Sequence, residues 1–223
     1  MVETADAAAR TPRLRPALSG KRILVTGVTG FLGMALLEKL LTDFPDTDLV
    51  VLIRGKGDVT PRQRLDQVLA GPAFERLRSS ARDGLAELVD RRVTVVEGDV
   101  LEPDGLEIPP VDLCYHCAAT VSFDSPIDDA FRTNVLGAAG LYSAVAAAGG
   151  TPFLVHVSTA YVAGSKKGII PEAPLEHDVD WRGEAEAAMS SRRQVEDASR
   201  KPEMLDRFIV EAEREHRRAG PLA

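Results

Sequence analysis

The sequence has 223 residues, 44% hydrophobic and 27% charged, with a formal net charge of -7, so it encodes a substantial folded core and not a general nucleic-acid binder. Aromatic residues make up only 5%, which leaves the core to Ala, Val and Leu. No run approaches the roughly 18 apolar residues of a membrane span, and the first residues, MVETADAAARTPRLRP, lack the apolar centre of a signal peptide. Residues 1–20 are expected to be a disordered tail, and the absence of export signals points to the cytoplasm.

KRILVTG (21–27) is a short apolar run bounded by glycine, a buried strand. FLGMALLEKLLTDF (31–44) carries apolar residues at helical spacing and stops before Pro45. DLVVLIRG (48–55) is a second strand. In TPRQRLDQVLAG, Thr60 as N-cap, Pro61 and Gln63 form a capping-box pattern, and helical sequence continues to about residue 90. RVTVVEGD (92–99) and VDLCYHCAA (111–119) are the third and fourth strands. SPIDDAFRTNVLGAAGLYSAVAAAG (125–149) is a long helix capped by Ser125 with Pro126 at its first position, and TPFLVHVST (151–159) is the fifth strand. Past residue 165 a loop leads into charged helical sequence over 184–219, broken near Pro202, whose Leu205, Phe208, Ile209 and Ala212 form a docking stripe.

Strands joined by helical crossovers imply a doubly wound parallel α/β sheet of three layers, Rossmann-type, in the order 3-2-1-4-5. Cys114 and Cys117 formally match a C-x-x-C motif, but strand positions three apart face opposite ways, so they are expected to be two buried thiols. His116 and His156 are expected to be satisfied core histidines, and no metal constellation is visible.

The stretch TGVTGFLG (26–33) joins the first strand to the first crossover helix. A glycine turn at a helix N-terminus, with its unsatisfied N–H groups and partial positive charge, suits the diphosphate of a dinucleotide. Gly27 would permit the tight turn, Gly30 the approach of the phosphates, and Gly33 close helix packing. The spacing is G-x-x-G-x-x-G, and Thr26, Thr29, Phe31 and Leu32 complete the assigned cofactor turn. At the end of the second strand Arg54 stands where an acid would bind the ribose of NAD, followed by Lys56, Arg62 and Arg64. Arginine's planar fork matches phosphate, so the preferred cofactor is NADPH.

TGVTGFLG, GDV (98–100), HCAA (116–119), TNVLG (133–137) and VSTAYVAG (157–164) together resemble the extended short-chain dehydrogenase/reductases. More narrowly, LIRGKGDVTPRQRL, AATVSFDSPIDDAFRTNVLG and HVSTAYV resemble the fatty acyl-CoA reductases, with the thioester-reductase domains of carboxylic acid reductases as close relatives. The resemblance covers about residues 20–165. It implies that Asp99 hydrogen-bonds the adenine with Val100 beside it, and that Ala118 and Ala119 line the cofactor. It also implies that Asn134 orients the active-site network, and that Thr159, with Ser158 beside it, is the catalytic hydroxyl. The implied reaction is NADPH-dependent reduction of a fatty acyl thioester, on coenzyme A or a carrier, to the aldehyde, and to the alcohol if a second hydride follows. A lipid substrate is compatible with peripheral membrane contact.

The same family requires a tyrosine four residues before a lysine. Tyr115, Tyr142 and Tyr161 are followed at that spacing by Ala119, Ala146 and Ser165, and Lys166 lies one residue too far. Residues 166–223 therefore resemble the loop and helical insertion that precedes the Tyr/Lys pair, which makes the fold C-terminally incomplete. The expectation is a cofactor site, over residues 21–165, without competent catalysis and with apolar surface exposed along a sheet edge. Two rivals remain: a nucleotide-sugar epimerase or dehydratase holding NAD tightly, and a non-catalytic NADP-binding or interaction module.

Overall fold

The computed structural model describes residues 11–81, 84–122, 124–164, 167–173 and 177–216. The first ten residues of the expected tail, the Ser165–Lys166 pair and the end of the expected insertion lie outside that set. The described residues divide into two compact units, one taking the chain to residue 122 and again over 133–173, the other taking 124–132 and 177–216.

The first unit is the parallel sheet. Its strands are β1 (Arg22–Thr26), β2 (Asp48–Ile53), β3 (Val93–Glu97), β4 (Leu113–His116) and β5 (Phe153–His156), and their order is β3-β2-β1-β4-β5. That is the predicted doubly wound order. Alternation along each strand splits the core between two faces, because successive side chains point to opposite sides. Ile23 and Val25 of β1 join Leu49, Val51 and Ile53 of β2 on one face, while Leu24, Val50 and Leu52 join Cys114, Leu141 and Val145 on the other. The edge strand β5 leaves Phe153 68% and Leu154 40% exposed, in line with the expected apolar edge.

The helices follow from local signals and from what they bury. In α1 (Thr11–Leu18), Leu18 reaches the core, so this part of the supposed tail is ordered: one well-placed leucine anchors the turn and Gly20, at φ +70°, ends it. α2 (Phe31–Asp43) buries Leu37, Leu40 and Leu41. α3 (Pro61–Ala70) shows the capping box in full, with Gln63 N–H donating to Thr60 Oγ1 and Thr60 N–H donating to Gln63 Oε1. Two short helices, α4 (Glu75–Ser80) and α5 (Leu85–Arg92), complete that layer. The long helix expected at 125–149 is instead three pieces: α6 (Ile127–Phe131), a π-helical turn at Arg132–Gly137, and α7 (Ala138–Ala147). Pro126, not Ser125, occupies the N-cap position of α6.

The second unit contains α6, α8 (Trp181–Ser199) and α9 (Pro202–His216). It includes α6, which precedes the boundary expected at 165/166. The reason is electrostatic and steric: Arg192 of α8 bonds Asp128 at 3.2 Å and lies 3.9 Å from Asp129, and α6 packs against α8. Along α9 the stripe of Leu205, Phe208 and Ile209 is exposed. No helix among the described residues is long and apolar enough to cross a membrane.

Candidate cofactor site at the carboxyl edge of the sheet

All five strands end before the segments expected from sequence do, and the residues left over become the loops of the carboxyl edge. Thr26 of β1 pairs with Leu52 of β2 on one side and His116 of β4 on the other, so the chain after β1 enters the crevice where strand order reverses. Open α/β sheets bind ligands in that crevice.

Gly27 sits there at φ +72°, and a Cβ on it would come within 2.7 Å of the Cys117 carbonyl carbon. A side chain on Gly33 would lie 2.2 Å from the Gly27 carbonyl oxygen. Gly33 thus lets α2 sit against the turn itself and not only against the strand, as expected from sequence. Gly30 is less constrained, its virtual Cβ lying 3.3 Å from Gly27 O. It is also the N-cap of α2, so no side chain caps the first turn, and no acid lies in it. The helix therefore presents bare amides and an uncompensated positive end to the crevice. Thr29 and Gly30 are exposed, and Phe31 and Leu32 are 85% and 49% exposed at its mouth.

Thr26, expected in the cofactor turn, is 1% exposed, and its side chain bonds inside the protein. Its Oγ1 accepts from the N–H groups of Cys117 and Ala118, each at 3.2 Å, which occupies both lone pairs. The hydroxyl proton is left for His116 Nδ1 at 2.8 Å, so His116 carries its own proton on Nε2. Burial, with His156 nearby, pushes His116 down to about 4. His156 Nδ1 in turn meets the hydroxyl of Tyr142, whose own ionisation burial pushes up to about 12. His116 is the satisfied core histidine expected, whereas His156 is bonded to Tyr142 but exposed, not in the core. Cys114 is a buried thiol pushed up to about 12, whereas Cys117 lies one residue past β4 and is half-buried.

The His116 environment predicts an acid-sensitive fold. An unfolded histidine takes up its proton near pH 6.5, the folded His116 only near about 4. Between those values the unfolded chain binds more protons, so the contribution is whole above pH 6.5 and is lost as pH falls toward 4, by at most about 3 kcal/mol. Urea titrations at neutral pH and near pH 5 should show a steeper loss for the wild type than for His116→Gln.

On the β2–β3 side, Arg54 donates from Nη1 to Asp99 Oδ2 at 2.8 Å, and Asp99 Oδ1 accepts from Leu101 N–H at 3.1 Å. Arg64 donates to the Arg54 carbonyl at 2.7 Å, holding that backbone in place. Arg62 is drawn away: it bonds Asp66 at 3.0 Å and Asp90 at 2.7 Å, leaving Arg54, Arg64 and the exposed Lys56 at this end. Val100, expected beside the adenine, is 9% exposed and packs with Leu52, Ile108 and Val111 in the core.

On the β4–β5 side, Ala118 is half-buried and Ala119 exposed. Asn134, in the π-helical turn, is exposed and not buried. Its side-chain amide is occupied by the backbone of Thr120, which sequence reasoning passed over because the partners lie 14 residues apart on different elements. Ser158 and Thr159 are exposed past β5, and Thr159 Oγ1 accepts from Tyr161 N–H at 3.2 Å, capping the turn Ala160–Ala163. That bond uses the oxygen as acceptor and leaves the hydroxyl proton as a donor.

Comparison with known proteins agrees with this architecture. The chain is 37% identical over 154 residues to fatty acyl-CoA reductase 1 of Homo sapiens, covering 67% of this chain and 30% of that protein. It is 35% identical over 171 residues to the probable fatty acyl-CoA reductase 5 of Arabidopsis thaliana, covering 71% of this chain and 34% of the relative. The chain thus spans about a third of the length of these curated relatives. Among solved structures, the reductase domain of a nonribosomal peptide synthetase from Mycobacterium tuberculosis superimposes with a TM-score of 0.54 at 27% identity, over 80% of this chain and 46% of that one. The terminal R domain of the myxalamid PKS-NRPS pathway gives 0.53 at 29%, over 82% and 46%. The family model described as Male sterility protein, an NAD-binding family, matches residues 25–207, and the chain belongs to that family, with the fatty acyl-CoA reductases among the extended short-chain dehydrogenase/reductases.

Proposed function

We propose that this chain is the cofactor-binding portion of an NADPH-dependent reductase of fatty acyl thioesters, carried on coenzyme A or on a carrier-bound thiol. The observation that carries the proposal is the uncapped start of α2, set in the crevice between β1 and β4 behind a turn whose Gly27 and Gly33 leave no space for a Cβ. These residues fit a dinucleotide diphosphate, which needs bare backbone donors and no side chain in its path. Arg54, with its backbone held by Arg64, would take the adenosine phosphate, and Asp99 beside it would accept from the adenine amino group. Substrate class rests on the resemblance to fatty acyl-CoA reductases.

Bound here, NADPH supplies the hydride that reduces the thioester carbonyl. Thr159 would donate a hydrogen bond from its hydroxyl to the carbonyl oxygen as charge develops on it. Collapse of the oxyanion would re-form the C=O bond and break the C–S bond, expelling thiolate, which takes a proton from solvent, and leaving an aldehyde. Since no tyrosine in the sequence stands four residues before a lysine, the chain as given is expected to bind NADPH and not to release thiol from an acyl-CoA.

Calorimetry with NADPH and NADH is the test. NADPH should bind at least about tenfold more tightly, and Arg54→Gln should remove that preference while leaving NADH affinity unchanged, a difference of about 1.4 kcal/mol. Equal affinity for the two in the wild type would sink the NADPH assignment, and no binding of either would sink the functional proposal.

A further inference from the structure

We propose that Asp99 is a positioning residue that sets the preference for NADPH over NADH: its carboxylate holds the Arg54 guanidinium ready for the adenosine 2′-phosphate. This rests on the dinucleotide reading above, and it gives Asp99 a role separate from the adenine contact that the resemblance implies. Arg54 and Asp99 meet where the β2–β3 ladder ends. Ile53 pairs with Glu97, and Gly98 N–H still donates to the Ile53 carbonyl at 3.3 Å, so both residues lie just past the last backbone bond. There Arg54 is held at both ends. Its carbonyl accepts from Arg64 Nη1 at 2.7 Å, and its own Nη1 donates to Asp99 Oδ2 at 2.8 Å. Asp99 is fixed in turn: Oδ1 accepts from Leu101 N–H at 3.1 Å, and its carbonyl accepts from Glu102 N–H at 3.0 Å.

The pair adds little to stability. The Arg54 side chain is 61% exposed and that of Asp99 24%, and ion pairs facing water contribute little to folding. Its effect is to order a side chain. Arginine has several rotatable bonds, and a phosphate that binds a free one must immobilise it, which weakens binding by roughly two- to tenfold. With Asp99 in place that ordering precedes the ligand. The guanidinium has five N–H donors and Asp99 takes one, so paired donors remain for a phosphate. Repulsion between the carboxylate and the phosphate works the other way. Water and salt screen it at this exposed end, which limits the loss to about twofold. Ordering is the larger effect. It acts only on a ligand that carries the 2′-phosphate, because NADH brings no anion to Arg54.

The test is calorimetry of the wild type, Asp99→Asn, Arg54→Gln and the double variant, each with NADPH and with NADH. Asparagine keeps an acceptor for Leu101 N–H but no charge for Arg54. Asp99→Asn should lower the ratio of NADPH to NADH affinity about threefold, and should not lower it further when Arg54 is already glutamine. A residue that touches only the adenine weakens both cofactors alike and leaves the ratio unchanged. That result, or a raised ratio, overturns the positioning role, as does an equal drop in the Arg54→Gln background. Asp99→Ser, whose hydroxyl accepts from the same N–H, serves if the asparagine variant folds poorly. A wild type that binds neither cofactor, or both equally, defeats the reading on which the role rests, and the role falls with it.

Discussion

Gly33→Ala is expected to abolish NADPH binding and to lower the thermal midpoint by roughly 10 °C, the consequence of about 3 kcal/mol in a domain of this size. The added methyl would stand 2.2 Å from the Gly27 carbonyl oxygen, 2.5 Å from its carbonyl carbon and 2.8 Å from the Val28 nitrogen. All three are backbone atoms of the turn, so no side chain can swing aside. Either α2 lifts off β1, uncovering Leu37 and Leu40, or the turn opens and its amides lose their convergence. Gly30→Ala is the control, because its methyl meets only Gly27 O at 3.3 Å and a shift of a few tenths of an ångström accommodates it. That variant should keep a near-wild-type midpoint while still weakening NADPH, since the added methyl stands where phosphate oxygens approach. Calorimetric unfolding and NADPH titration of the two variants check both halves. A Gly33→Ala protein that melts and binds like the wild type would show that the turn is not closed as described.

Arg92→Leu is expected to cost about 3 to 5 kcal/mol of stability without altering NADPH affinity of the folded protein. The Arg92 side chain is 7% exposed, and among the described residues no carboxylate pairs with it. Its guanidinium instead donates to the carbonyls of Leu40 (3.3 Å), Leu41 (2.9 Å), Phe44 (2.6 Å) and Thr47 (3.0 Å), and to Thr47 Oγ1 (3.0 Å). The first three belong to the last turn of α2 and its C-cap, at the negative end of the dipole; Leu40 O also accepts from Phe44 N–H, and Phe44 O from Thr47. Burial lowers the guanidinium's proton affinity, yet the carbonyl cage satisfies its donors. Leucine would strip the Leu41 and Thr47 carbonyls of their guanidinium donors and remove one bond each from Leu40 O and Phe44 O. Arg92→Lys, with a compact ammonium of three donors, should recover only part of the loss. Urea midpoints order the three proteins. Arg92 and Thr47 stand just before β3 and β2, at the amino ends of the strands, which is why the cofactor site at the carboxyl ends should not respond.

The two cases differ in how far the sequence announces them. Gly33 was legible because a glycine turn between an apolar run and a helical pattern has a local cause, and its steric reason emerges within seven residues of chain. Arg92 was not. In the sequence it is one of two adjacent arginines at the start of a strand, and nothing nearby tells that its donors meet carbonyls 45 to 52 residues earlier. The long helix over 125–149 failed for a related reason. Its apolar pattern is consistent with one helix, but the Asn134 bonds to Thr120 accompany a π-helical turn that periodicity alone does not encode. The strand ends were overrun because apolar and small residues continue past the last ladder pair, into Cys117–Ala119 after β4 and Val157–Thr159 after β5.

By itself, then, the sequence determined the element order, the parallel sheet, the capping box at Thr60 and the glycine turn. Each of these is written in periodicity or in contacts between near neighbours along the chain. Only the tertiary structure decided which polar groups meet: Thr26 with His116, 90 residues apart, Arg54 with Asp99, 45 apart, and Arg62 with Asp90 instead of with a phosphate. Such pairings depend on strand register and sheet order, which set distant backbones side by side within an ångström or so. Hydrogen bonds are short-ranged and directional enough that a displacement of that size chooses one partner and rejects another.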